Sequence, residues 1–188
     1  DSVTFGGLMR KIDALLENES NIKGFVLEKV IEQHPDIGKI YAHSVNSLRI
    51  ITYLTKDNHP KVFRTRMRLG RRGNLVDNVS QGGISASIDK ESGTIINGLS
   101  LTAGEDSSFT EHPDTGVRFT GVKIPHWDQV LELCRKAAGA RPLQRFVGWD
   151  IAVGPEGPVL IEGNSSGVEV AYDQLGNKGF MTDEFKSD

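Results

Sequence analysis

The chain has 188 residues, 37% of them apolar and 25% charged, with a formal net charge of −3. That length supports one medium domain or two small subdomains sharing a cleft. The composition excludes gross disorder, and the charge gives no global pull toward nucleic acid or an anionic membrane. A single cysteine, Cys134, excludes an intramolecular disulfide. With no apolar run of membrane-spanning length and no signal-peptide pattern, this suits a reducing cytoplasm.

In chain order, residues 7–17 place Leu8, Ile12, Leu15 and Leu16 on one helical face. After a polar break at Asn18–Lys23, the apolar run in GFVLEKVIEQHP predicts a buried strand over 24–31, stopped before Pro35. Residues 47–55 and 61–69 read as a hairpin around Lys-Asp-Asn-His-Pro. A Gly/Asn/Asp-rich stretch runs through Gly83. A short strand near 85–89, a Glu-Ser-Gly turn and a polar loop over 104–116 follow. Pro125 starts a helix over 126–138 whose spacing sets Trp127, Val130, Leu131, Cys134 and Ala138 toward the core. The five histidines, at 34, 43, 59, 112 and 126, have neither i,i+4 spacing nor a cysteine partner, which argues against zinc. Hairpin-connected strands with irregularly placed helices predict an α+β fold with a mainly antiparallel sheet.

The most informative stretch is VGWDIAVGPEGPVLIEGN, residues 147–164. A three-residue Pro155-Glu156-Gly157 loop would set Gly154 against Pro158, Ala152 against Leu160 and Asp150 against Glu162. Period-two alternation then puts Asp150, Glu162 and Asn164 on one face. Val147, Trp149, Ile151, Val153, Val159 and Ile161 take the other, fit to pack on the 126–138 helix. Opposed carboxylates repel, and a cation removes that conflict. Two carboxylates and an amide oxygen are hard ligands, suited to Mg²⁺ or Mn²⁺ with positions left for water and phosphate. The alternative is a solvent-facing acidic hairpin.

Arg49 lies in the apolar run Leu48-Arg49-Ile50-Ile51 and needs an anion, either a ligand or a structural partner. Alternation along FRTRMRLGRR places Arg64, Arg66 and Arg68 on one face, opposite Phe63, Thr65, Met67 and Leu69. No aromatic interleaving points this run to nucleic acid, and Arg64, Arg71 and Arg72 read as a solvated basic edge. His112 lies in the turn sequence HPDTG, and Cys134 reads as core packing.

Gly-Trp-Asp, twelve residues, Glu-Gly-Asn resembles the metal hairpin of ATP-grasp enzymes. FVLEKVI resembles their adenine-hinge strand, VNSLRI the strand whose arginine reaches the reactive phosphate, and MRLGRRGNLVDNVSQGG the Arg-x9-Asn-x3-Gly-Gly segment of the amino-acid ligases. QHPDI, HPDTG and KIPHW are similar to the sugar-transfer-associated, α-L-glutamate-ligase-related group, and the resemblance covers about residues 24–170. It implies an ATP- and Mg-dependent ligase joining a carboxylate to an amine or other nucleophile through an acyl phosphate. The alternatives are a kinase using the same hairpin and a non-catalytic nucleotide-binding fragment.

Residue by residue, the resemblance assigns Asp150, Glu162 and Asn164 to metal, with Arg49, Arg68 and Asn78 at the reacting groups. Glu28, Lys29, Val30 and Ile31 fall at the adenine edge, Gln33 near the ribose, and Asp77, Gly82 and Gly83 in a wall beside the acceptor. It also implies a link to polysaccharide synthesis. Residues 1–34 would be a remnant of the first ATP-grasp subdomain, and 35–188 the second, bearing the metal and phosphate site. The phosphate-gripping lysines and glycine-rich loop expected before the hinge strand have no counterpart here, so the first subdomain is incomplete. Either upstream residues are missing or the version is reduced.

Overall fold

The structure, a computed structural model, describes residues 4–18, 24–26, 28–78, 82–100, 108–165, 179 and 181–187. The polar break over 19–23 and the loop residues 104–107 lie outside these. The chain divides into two compact units, Asp1–Val30 and Ile31–Asp188, each described on its own.

The first unit contains helix α1 (Phe5–Asn18). Thr4 caps it, its Oγ1 accepting from the Gly7 backbone N–H at 3.2 Å, a bond that satisfies one of the open donors of the first turn. The apolar stripe forms as the spacing predicts, but no residue of the helix is buried. The buried strand expected over 24–31 does not form. Residues 24–26 and 28–30 are irregular and exposed, Val30 to 84%. Apolar composition makes a strand only where a neighbour takes up its N–H and C=O groups, and no described strand pairs with this run.

The second unit is built on a seven-stranded sheet. Its strands are β1 (Leu48–Leu54), β2 (Pro60–Leu69), β3 (Ile84–Ile88), β4 (Ile95–Leu99), β5 (Ser108–Phe109), β6 (Phe146–Gly154) and β7 (Gly157–Asn164). The order is β5-β4-β3-β2-β1-β6-β7, with every pairing antiparallel. A short helix, α2 (Pro35–Gly38), precedes β1. Helix α3 (Trp127–Gly139) joins β5 to β6, and α4 (Asp183–Ser187) lies near the C-terminus. This is the α+β, mainly antiparallel architecture that the hairpin pattern predicts.

One face of the sheet is dry. Leu48, Ile50, Met67, Leu69, Ile84, Ala86, Val147, Trp149, Ile151 and Val153 pack there with Phe119 and with Val130, Leu131, Cys134 and Ala138 of α3. Burial of this kind contributes roughly 1.5–3 kcal/mol per large side chain and holds the strands in register. The Cys134 thiol is enclosed so fully that its pKa is pushed up to about 12. The start of α3 is fixed through His126, whose Nε2 lies 3.0 Å from the Pro155 carbonyl at the β6–β7 turn. The other face carries a small aromatic cluster of Tyr53, Phe63, Phe146 and Phe185 of α4 at one end. Phe63 belongs there, and not with Thr65 and Met67, because a bulge opposite Ile51/Thr52 makes it the extra residue of β2 and reverses its side.

The β6–β7 hairpin departs from its expected register and then recovers it. Gly154 pairs with Gly157, so the loop is the two residues Pro155-Glu156, and Ala152 faces Val159 instead of Leu160. Gly157 supplies the positive φ, at 136°. A bulge between Asp150 and Ile151 takes up one residue of β7, and Asp150 again faces Glu162. Because β7 is an edge strand, Val159 and Ile161, expected in the core, are exposed together with Leu160.

Candidate active site

Opposed residues of an antiparallel ladder share a face. Following the pairs from β4 across the sheet gives Asn97–Ser87, Ser87–Arg66, Arg66–Arg49, Arg49–Asp150 and Asp150–Glu162. One polar or charged residue from each strand, β4 to β7 in spatial order, therefore forms a row on the face away from α3. The β1–β2 and β6–β7 hairpins supply Arg66, Arg49, Asp150 and Glu162, and the long-range β1–β6 pairing joins the two hairpins.

Asp150, between Arg49 and Glu162 in the row, is buried. Its Oδ1 accepts from Arg49 Nε at 2.5 Å and its Oδ2 from Arg49 Nη2 at 3.1 Å, a two-point grip. Its Oδ2 also accepts from Arg68 Nη2 at 2.6 Å. The side chains of Arg49 and Asp150 are 8% and 3% exposed and that of Arg68 is 15% exposed, so the bonds form in a largely dehydrated setting. Gly148, next on the Asp150 side of β6, makes room: a Cβ there would stand 3.2 Å from Arg49 Cδ. The anion demanded by an arginine inside an apolar run is thus supplied within the chain.

Arg68 continues the network. Its Nε donates to Ser47 Oγ at 3.2 Å, while its Nη1 makes no hydrogen bond among the described residues. Ser47 in turn donates to Asp77 Oδ2 from both its backbone N–H, at 2.7 Å, and its hydroxyl, at 2.5 Å. Asp77 thereby ties the loop after β2 to the start of β1. Asn78, the next residue, is exposed, and its carbonyl accepts from the Gly83 N–H at 3.3 Å. Gly83 is required by close backbone approach: a Cβ would meet the carbonyl oxygens of Asp77 at 2.9 Å and of Asn78 and Leu69 at 3.0 Å. Ser47 was missed in the sequence reading. Its position two residues before Arg49, on the same strand face, was the available signal.

At the β7 end the row is open. Glu162 is exposed, and Asn164 Nδ2 donates to Glu162 Oε1 at 3.0 Å. That leaves Glu162 Oε2 and Asn164 Oδ1 without a hydrogen bond among the described residues. These open oxygens lie on the Asp150 face of the hairpin and are of the hard type that Mg²⁺ or Mn²⁺ prefers. Among the described residues no three His, Cys, Asp or Glu side chains gather as a metal site. A cation here would therefore draw further ligands from water or phosphate.

The remaining sequence candidates lie elsewhere. Glu28, Lys29 and Val30 belong to the first unit, in exposed irregular chain. Ile31 and Gln33 are half-buried in the second. The Gln33 amide is engaged, its Oε1 accepting from the Asn46 N–H at 2.6 Å and its Nε2 donating to the Tyr41 carbonyl at 3.2 Å. His112 is fully buried. Its Nδ1 accepts from the Asp114 N–H at 3.3 Å, its Nε2 lies 2.8 Å from the Gly70 carbonyl, and its ring stacks on Tyr41. Burial lowers its pKa, opposed by the Gly70 bond, which marks a neutral packing histidine. Arg71, read as part of a solvated edge, is buried with its guanidinium 5.4 Å from the Phe109 ring. Arg64 is half-buried over Phe63 at 4.1 Å.

The polar face thus offers guanidiniums, open carboxylate and amide oxygens, and a loop held against them, which is equipment for a phosphorylated ligand and a cation. No curated protein and no solved structure matches the chain significantly. The model of one family, described as sugar-transfer associated ATP-grasp, matches residues 11–187. That match covers almost the whole sequence, the unit bearing this face included. The chain belongs to the sugar-transfer associated ATP-grasp family.

Proposed function

We propose that the polar face of the sheet is the phosphate- and metal-binding side of an ATP- and Mg-dependent ligase joining a carboxylate to an amine. The observation that carries this reading is the ladder row Arg66–Arg49–Asp150–Glu162, with Arg68 beside it, because it sets paired guanidiniums next to open hard oxygens. Mg²⁺ bound with the nucleotide would supply positive charge that offsets the charge on the group being transferred.

The residues have separate tasks in this proposal. Glu162 Oε2, Asn164 Oδ1 and the Asp150 carboxylate would hold the cation. Arg49 and Arg68 would grip the phosphoryl group, for which the planar guanidinium is suited by its paired donors. Asp77, through Ser47, positions Arg68 and carries the Asn78 loop toward the acceptor. Glu28, Lys29, Val30, Ile31 and Gln33 remain the proposed nucleoside contacts, on the strength of the resemblance alone. The substrate carboxylate attacks the γ-phosphorus with loss of ADP. The amine then attacks the acyl carbon, phosphate departs, and the amine gives up a proton. Such chemistry depends on positioning and charge neutralisation more than on a protein nucleophile.

Hydroxylamine trapping tests the reading. With Mg-ATP and a panel of amino-acid carboxylates, a ligase of this kind yields a hydroxamate together with ADP and phosphate. A stable phosphorylated acceptor with no hydroxamate would make the protein a kinase. Nucleotide binding without ADP release would make it a binding module.

A further inference from the structure

A divalent cation and the two arginines require the same oxygens. Asp150 Oδ1 is taken by Arg49 Nε at 2.5 Å, and Oδ2 is shared by Arg49 Nη2 at 3.1 Å and Arg68 Nη2 at 2.6 Å. A Mg²⁺ ion binds a carboxylate oxygen at about 2.1 Å. It would enter beside two positive groups in a dehydrated site, where like-charge repulsion is poorly screened. Releasing Asp150 would cost the two guanidiniums their short charge-assisted bonds to a buried carboxylate, which a free cation does not replace. Ser47 further restrains Arg68 through its Nε. A phosphate changes the balance because it offers the guanidiniums a bidentate partner of higher charge, leaving the carboxylate to the metal.

We propose that Arg49 and Arg68 latch Asp150 against free divalent cations, so that the metal is taken up only with a phosphate group that draws the guanidiniums off the carboxylate. This rests on the reading of the polar face as a Mg-nucleotide site. The latch exchanges partners and leaves no charge unpaired: arginine passes from carboxylate to phosphate as Asp150 passes from arginine to metal. Selectivity for metal-nucleotide over metal alone is thereby built into a row of the sheet. By linkage, metal and phosphate strengthen each other's binding.

Two measurements on the full chain test it. In the first, Mn²⁺ is titrated into nucleotide-free protein and unbound Mn²⁺ is read by electron paramagnetic resonance. The Arg49→Gln/Arg68→Gln variant should bind Mn²⁺ at least about tenfold more tightly than wild type, and adding Asp150→Asn should remove the gain. Equal Mn²⁺ affinity in wild type and the double variant overturns the latch. The second uses wild type alone and so does not depend on a variant that folds. The arginine Nε–H resonance of Arg49 should hold its position with Mg²⁺ alone and move with Mg²⁺ plus a non-hydrolysable ATP analogue. A shift with Mg²⁺ alone, or bound nucleotide with no shift, sinks the latch and leaves the nucleotide reading standing. Failure of the analogue to bind at all removes the nucleotide reading, and the latch with it.

Discussion

The two faces of the sheet are made by alternate residues of the same strands, yet they solve opposite problems. Leu48, Ile50 and Ile151 point into the cluster beneath α3, whereas their chain neighbours Arg49 and Asp150 lie in the polar row and Ser47 bonds to Arg68 beside it. On the dry face each side chain is replaceable by another of similar shape, at a cost set by volume. On the polar face, identity matters more than volume, because each charge balances a particular opposite charge. The hairpin repeats this contrast in miniature. Asp150 on β6 is buried between two arginines, while Glu162, its partner on the edge strand β7, is exposed.

The contrast within the hairpin is broken most forcefully at Asp150. Strand alternation sets both acids on the face opposite the core, which by itself implies that either can be removed without harm to the fold. The structure divides them. Asp150→Ala removes the buried carboxylate that Arg49 and Arg68 share and should cost about 3–5 kcal/mol in urea unfolding, along with nucleotide binding. Phe119→Ala, in the dry cluster, should cost a similar 3–5 kcal/mol or so while leaving the nucleotide affinity of the folded fraction unchanged. Loss of affinity in that variant would mean that the two faces are coupled more tightly than their separate packing implies.

His112 gives a smaller, pH-dependent effect. Burial lowers its pKa in the folded state, so the unfolded chain binds the proton more readily. The stability this contributes is complete above about pH 6.5, the unfolded value, and is lost as pH falls toward the lower folded value. Urea midpoints measured across this range should decline in wild type and flatten in His112→Asn. The smallest effect belongs to Ser85. Its hydroxyl is buried with no hydrogen-bond partner among the described residues, although the residue stands opposite Arg68 in the β2–β3 ladder. Ser85→Ala should therefore stabilise by up to about 1 kcal/mol, whereas a loss of nucleotide affinity would show that the hydroxyl serves the ligand.

What was legible in the sequence follows the same division. The helix at 126–138 and the β1–β2 hairpin were readable because period and turn chemistry are local. The buried strand over 24–31 was misread because apolar composition carries no information about a ladder partner. The bulge beside Asp150 has no sequence signature either. The Asp150–Glu162 pairing was reached through a three-residue loop that is really two, with the bulge absorbing the difference. That Arg49 needs an anion was evident from its neighbours. That the anion is Asp150, 101 residues away, is a property of the sheet order and not of any local pattern.

Glu162 offers the most direct test of the central claim, because it belongs to the proposed metal set without contributing to the core. Calorimetric titration of Mg²⁺ with a non-hydrolysable ATP analogue should be run on wild type and Glu162→Gln, alongside their melting temperatures. The account predicts binding weakened at least about tenfold, roughly 1.4 kcal/mol, with melting temperature unchanged. Equal affinity in the two proteins would contradict it.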